Sequence, residues 1–198
     1  LKRALLDIQS DGIPKIPGPV VTRANRQVSA QVFPQTAYDR LLFSGYRVEV
    51  WMEPDIALED IPKTQALSYS HPALSGKVAL VLGAGNLPGI PVTDVLDKLF
   101  VQNQVVLLKM NPVNDYIGPL LKEGFSCLIE AGYMQIAYGG ASEGAYLCQH
   151  PDVDEIFITG SDKTFDTIVF GSGELGARRK VEHQPLLKKT VNGELGNV

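Results

Sequence analysis

The chain has 198 residues, 44% of them hydrophobic and 20% charged, which is enough for one large domain or for a domain with a smaller appendage. Its net charge of -4 supplies no basic face to neutralise phosphates, so nucleic acid is not an expected partner. No apolar stretch nears the ~20 residues that span a bilayer, no signal-like segment opens the chain, and Cys127 and Cys148 are too few for a disulfide framework. The expectation is a cytoplasmic protein with reduced thiols and no membrane association.

Punctuation divides the sequence near Gly76: nine of thirteen prolines lie before Val92, and fifteen of nineteen glycines lie from Gly83 onward. Residues 1–76 read as an N-terminal arm and strand segment. The run from Ile13 to Pro19 must be extended, because each proline pushes its predecessor out of the helical region. Residues 40–51 then alternate, with Tyr46, Val48 and Val50 on one side and Arg47, Glu49 and Trp51 on the other, as in a half-buried strand.

Residues 77–198 alternate strand-like and helical patterns, which predicts a Rossmann-like α/β fold with a mostly parallel sheet and flanking helices. Strands are expected over 78–82, 105–108, 134–138, 155–159 and 188–191. A helix from Pro91 aligns Val92, Val95, Leu96, Leu99 and Phe100 on one stripe. A second, from about Asn114 toward Gly132, should bury Ile117, Leu120, Leu121, Phe125, Leu128 and Ile129. A third covers about 142–150, and a fourth begins after Ser161.

Past the strands' carboxyl ends lie Gly83-Ala84-Gly85-Asn86, Lys109, Gly139-Gly140, Gly160-Ser161 and Glu194. In an open parallel sheet the ligand crevice lies outside those ends, so one site can gather all five turns. Thr159-Gly160-Ser161 leads a strand into a helix start, where free N–H groups and the helix dipole favour an anion; an ordinary N-cap is the alternative for Ser161. Lys109 ends an uncharged strand and suits a ribose or phosphate, or is a snorkelling lysine. Asn86 offers an amide N–H to an oxyanion, or simply tolerates a turn. Glu194, between glycines, is either a general base or an exposed turn residue. Gly139, Gly140 and Gly144 fit no glycine fingerprint on their own. Both cysteines read as inert packing residues, and the histidines have no metal-ligand spacing.

Together and in this order, these residues resemble the cofactor-binding half of the aldehyde dehydrogenase superfamily, over roughly residues 77–198. Ile158-Thr159-Gly160-Ser161 is similar to the family's Phe-Thr-Gly-Ser at the cofactor pyrophosphate, and 105–109 to the strand whose lysine holds the adenosine ribose. Glu194-Leu195-Gly196 is similar to the start of Glu-Leu-Gly-Gly-Lys, whose glutamate is the general base, and Asn86-Leu87-Pro88 to the motif whose asparagine helps form the oxyanion hole. Gly139, Gly140 and Gly144 also follow the family's order.

The resemblance implies NAD or NADP as cofactor, an aldehyde as substrate, Asn86 and Glu194 as catalytic residues, and a homo-oligomer. Several positions depart from the pattern: Ala84-Gly85 replaces Pro-Trp, Met110-Asn111-Pro112 replaces Pro-Ser-Glu and so lacks the carboxylate that grips ribose hydroxyls, Phe165 stands where glycine is usual, and Asn197-Val198 replaces Gly-Lys. The family's nucleophilic cysteine comes later than Val198, so the chain alone is expected to be inactive, the cofactor-binding part of a larger enzyme. The alternatives are a coenzyme A-acylating relative and a non-catalytic nucleotide-binding or assembly protein.

Overall fold

The computed structural model describes residues 1–71 and 75–196, and the chain divides into two units, Leu1–Pro72 and Ala73–Val198. In the first unit, helix α1 (Lys2–Asp11) stops at Gly12, whose φ of 81° is the left-handed conformation glycine adopts freely. Residues 13–19 carry neither helix nor strand. Strands β1 (Val20–Thr22), β2 (Val28–Phe33) and β3 (Val48–Trp51) then form an antiparallel sheet in that order.

The strand expected over 40–51 is shorter than its alternation suggests. Thr36 and Asp39 form a reciprocal cap: the Asp39 N–H donates to the Thr36 hydroxyl at 3.1 Å, and the Thr36 N–H donates to the Asp39 carboxylate at 2.9 Å. That cap starts α2 (Ala37–Leu42), which draws residues 40–42 into helix. Nor is the apolar side the covered one, since Tyr46, Val48 and Val50 are exposed. On the other side Arg23 pairs with Glu49 and lies 4.3 Å from the Trp51 ring, which leaves Glu49 partly covered while Arg47 and Trp51 stay exposed. Residues Leu58–Thr64 form a 3-10 segment, followed by α3 (Leu67–Ser70).

The second unit contains β4 (Val78–Leu82), α4 (Ile90–Phe100), β5 (Val105–Lys109), a 3-10 segment (Pro112–Ile117), α5 (Gly118–Gly124), α6 (Ser126–Glu130), β6 (Met134–Ala137), α7 (Ala141–Gln149), β7 (Glu155–Gly160), α8 (Asp162–Phe170), α9 (Gly173–Val181) and β8 (Thr190–Leu195). The five strands pair in parallel in the order β6-β5-β4-β7-β8. Central β4 carries no charge because both its faces are covered. Val81 joins Val95, Leu99, Val106, Leu108, Met110 and Met134 in one core cluster, while Leu80 joins Cys148, Val153, Ile156 and Leu187 in the other.

Helix α4 buries Val95 and Leu99 as its periodicity predicts, and adds two charged residues to the same face, Asp94 and Lys98. The single helix expected from Asn114 is instead three pieces. Pro119 has no N–H to give a helix interior and sits at the start of α5. In the new phase Leu120 is 66% exposed rather than buried, while Ile117, Leu121, Phe125, Leu128 and Ile129 pack on the core as expected.

The last strand also differs. It runs Thr190–Leu195, so Glu194 lies within β8 opposite Thr159, not in a turn beyond it. Gly193 permits this close pairing, since a Cβ there would sit 3.0 Å from the Ile158 carbonyl oxygen.

Candidate functional site

An open cleft of 1330 Å³ lies at the carboxyl ends of the parallel strands, the place where such sheets hold ligands. Counted from β4, the sheet order is 3-2-1-4-5. Its direction therefore reverses between β4 and β7, and the two glycine-bearing turns after these strands flank that point. Asn86, Lys109, Gly140, Gly144, Thr159, Gly160, Ser161 and Glu194 all line the cleft. Gly139 does not. Its φ of +124° and the Glu143 side chain, 2.5 Å from any Cβ built there, make it a backbone turn position beneath α7.

The turn after β4 is held by groups that the sequence did not single out. Buried Asn114 donates from Nδ2 to the carbonyl oxygens of Ala84 at 2.9 Å and Gly85 at 3.2 Å, and the Gly83 N–H donates to the Lys109 carbonyl oxygen at 3.0 Å. The turn is thereby fixed in place for Asn86, whose Oδ1 accepts from the Leu87 N–H at 2.9 Å. That leaves the Asn86 amide N–H group for the cleft, the polarity an oxyanion requires.

Lys109 is 7% exposed, although it lines the cleft. Its ammonium forms no ion pair with any described residue. On the neighbouring loop Asn111 accepts from the Val113 N–H at 3.1 Å and presents its Nδ2 toward Gly85, where a Cβ would come within 2.9 Å.

At the start of α8 the Ser161 hydroxyl accepts from the Thr164 N–H at 3.2 Å, so Ser161 is an N-cap as well as a cleft residue. Phe165, one turn into α8, is half-buried and stands outside the cleft wall. On α7 a Cβ at Gly144 would meet no atom within 4 Å, so this glycine leaves room in the cleft rather than relieving a close approach.

Asp94 was not singled out either. It is 6% exposed and accepts from the Thr159 hydroxyl at 3.1 Å. Burial pushes its carboxyl up to about 6; the Thr159 hydroxyl and Lys98 oppose the rise, and the charges of Glu194 and Asp97 add to it. The sequence signal was available, because Asp94 and Lys98 fall on the same helical face as Val95 and Leu99.

Buried Cys148 forms part of the cleft wall, and burial pushes its thiol up, away from the reactive thiolate, as expected of a packing cysteine. Cys127 is exposed, contrary to expectation: short α6 turns Leu128 and Ile129 inward and leaves Cys127 on its outer side. Among the described residues no group of three or more His, Cys, Asp or Glu could hold a metal ion, and no helix is long and apolar enough to cross a membrane. Asn197 and Val198 lie outside the described residues.

The fold and cleft together define a five-stranded parallel α/β domain with its ligand crevice at a topological switch point. No protein-family model matches the sequence, and no curated protein matches it. Solved structures similar to the chain include aldehyde dehydrogenases, the superfamily its motifs resemble. The Mycobacterium tuberculosis aldehyde dehydrogenase complexed with NAD+ is 16% identical with a TM-score of 0.45, covering 91% of this chain and 27% of that one. Succinic semialdehyde dehydrogenase from Streptococcus pyogenes in complex with NADP+ is 18% identical with a TM-score of 0.44, covering 62% and 24%. An NAD-dependent aldehyde dehydrogenase from Sinorhizobium meliloti is 25% identical with a TM-score of 0.44, covering 61% and 22%. The chain thus spans about a quarter of the length of these proteins.

Proposed function

We propose that residues 77–198 are the cofactor-binding portion of an aldehyde dehydrogenase-like oxidoreductase that uses NAD or NADP and oxidises an aldehyde to an acid through a thioester. One observation carries the reading: a cleft at the switch point gathers Lys109, the Gly160-Ser161 helix start, Asn86 and Glu194 from four separate strand ends. The residues fit an adenine dinucleotide. Lys109 supplies a nearly buried cation that forms no ion pair with a described residue, and the amino-terminal end of α8 supplies the positive end of a helix dipole for a pyrophosphate.

When bound, the nicotinamide supplies the hydride acceptor. Asn86 donates its amide N–H to the oxygen of the attacked carbonyl, and Glu194 takes a proton from the water that releases the acid. The reacting thiolate comes from a part of the enzyme other than the described residues. Retention of Glu194 favours hydrolysis over transfer to coenzyme A, since thiolysis needs no activated water.

Thermal melts of the chain with each dinucleotide test the binding claim. Ligand at 100 times its dissociation constant stabilises by ~2.7 kcal/mol, and Lys109→Ala should shrink the shift at the same concentration. Absence of any shift with either dinucleotide in a well-folded sample overturns the reading. In a longer parent protein, Asn86→Ala should slow the chemical step by ~10²–10³. Glu194→Gln should preserve an initial burst of reduced cofactor and slow only the turnover that follows. Wild-type-like traces for both variants would show that neither residue is catalytic.

A further inference from the structure

We infer that Asp94, beneath the floor of the cleft, is a positioning residue for the nicotinamide end of the dinucleotide: it holds the Thr159 hydroxyl and sets a negative charge below it, so that the site favours the oxidised cofactor, whose ring is a cation, over the reduced one. The inference rests on the proposed dinucleotide site and adds to it a residue that the motif resemblance does not supply and a choice between the ligand's two redox states. Asp94 is 6% exposed and is not part of the cleft wall, but its Oδ2 accepts from the Thr159 hydroxyl at 3.1 Å, and Thr159 is part of that wall. One hydroxyl separates a buried carboxyl from the ligand space.

Strand order puts this pair at the reacting end. β7, which carries Thr159, lies between β4, which leads to Asn86, and β8, which carries Glu194 opposite Thr159. The ligand group that Asn86 and Glu194 address together therefore lies over β7. A cation in contact with the Thr159 hydroxyl stands about 7 Å from the Asp94 carboxylate, the sum of the hydrogen bond and one van der Waals contact. The surroundings leave the charge of Asp94 largely uncancelled. β4 is uncharged, and β7 brings Phe157 and Thr159 to this face. Lys98, one turn along α4, is bonded to Glu155 and compensates only in part, while Asp97 on the same helix and Glu194 on β8 have the same sign as Asp94. Burial, with those like charges added, pushes the carboxyl up to about 6, so Asp94 is ionised at neutral pH at a cost. A cationic ring over Thr159 relieves that cost and a neutral ring does not.

Calorimetric titration of the full chain with NAD and NADH, and with NADP and NADPH, tests this. The ratio of oxidised to reduced affinity should be about tenfold higher with Asp94 ionised than with it protonated, the size of one screened charge pair at that distance. Between about pH 5.5, where Asp94 is mostly protonated, and about pH 8, the ratio should rise about threefold. Taking the ratio cancels every group that meets the two redox states alike, the ligand's phosphates included. In Asp94→Asn, whose fold is checked by circular dichroism, the ratio should be lower and flat over that range. Asp97→Asn, which removes a like charge from the same helix, should keep the rise. A ratio independent of pH in the wild-type chain, or a rise that survives Asp94→Asn, overturns the inference and leaves the dinucleotide site standing. A rise that disappears in Glu194→Gln but not in Asp94→Asn assigns the charge to Glu194 and overturns it as well. Failure of all four ligands to bind overturns the dinucleotide site and the inference with it.

Discussion

The two ends of the parallel sheet treat a buried lysine in opposite ways. At the amino end Lys98, 4% exposed, pairs with Glu155, whose other contacts are Gln104 Nε2 at 3.1 Å and Asn192 Nδ2 at 3.1 Å; the lysine also lies 5.0 Å from the Phe157 ring. At the carboxyl end Lys109, 7% exposed, has no such partner among the described residues. Charges closed on one another serve the fold, whereas a charge left open in a cleft is available to a ligand. The same logic separates the carboxylates. Burial alone would push Glu155 up, but Lys98, Gln104 and Asn192 hold it below its ordinary value; Asp94, with weaker compensation and Glu194 as a neighbour, rises to about 6.

The largest expected effect comes from opening the closed end. Lys98→Met keeps the apolar stem but strands Glu155 in the interior, and should cost ~3–5 kcal/mol in urea unfolding at neutral pH. A loss below about 1 kcal/mol would mean that the network contributes little. Next is the pH dependence of Asp94. Its folded value, about 6, exceeds its ordinary 3.8, so the native state holds the proton more tightly. Stability from this group is therefore present below about pH 4 and is lost as pH rises to about 6, by about 3 kcal/mol. Asp94→Asn should remove that slope while retaining an acceptor for Thr159, and unfolding curves from pH 4 to 8 that parallel those of wild type would refute it. Glu155 has the opposite sign: its folded value is lowered, so its stabilisation is present at neutral pH and fades as pH falls below its ordinary 4.5.

Ser161→Ala removes the cap of α8 and should cost ~1 kcal/mol without nucleotide. If the hydroxyl is only a cap, nucleotide affinity measured on the folded variant stays unchanged. The smallest loss belongs to the open end: Lys109→Met, which keeps most of the stem, should leave the free chain at least as stable as wild type, because no ion pair is lost and a nearly buried charge is removed. A cost like that of Lys98→Met would erase the distinction between the two lysines.

Much of this arrangement was legible because local periodicity and burial point the same way. Residues 78–82 contain no charge and form the central strand at the same boundaries; Pro91 marks the first turn of α4, and Ser161 caps α8. Where local signals competed, the reading failed. The alternation of 40–51 lost to the Thr36–Asp39 cap, the continuous apolar face from Asn114 was broken at Pro119, and Glu194, between two glycines, proved to be a strand residue because β7 offered it a partner. Asn114 gave no signal at all, since its role is to bind carbonyl groups 29 and 30 residues away.

By itself, then, the sequence determined where the strands of the parallel sheet lie, where α4 and α8 begin and which residue types stand at the strand ends, because propensity, capping and apolar periodicity act within a few turns of chain. It could not say which charges would be neutralised. Lys98 and Glu155 are 57 positions apart, and they meet only because α4 packs back across the sheet while β7 pairs with β4 in a particular register. Lys98 and Lys109 look alike as residues in an apolar neighbourhood. Tertiary structure alone closed one and left the other open, because pairing and desolvation depend on the distance between side chains in the folded molecule.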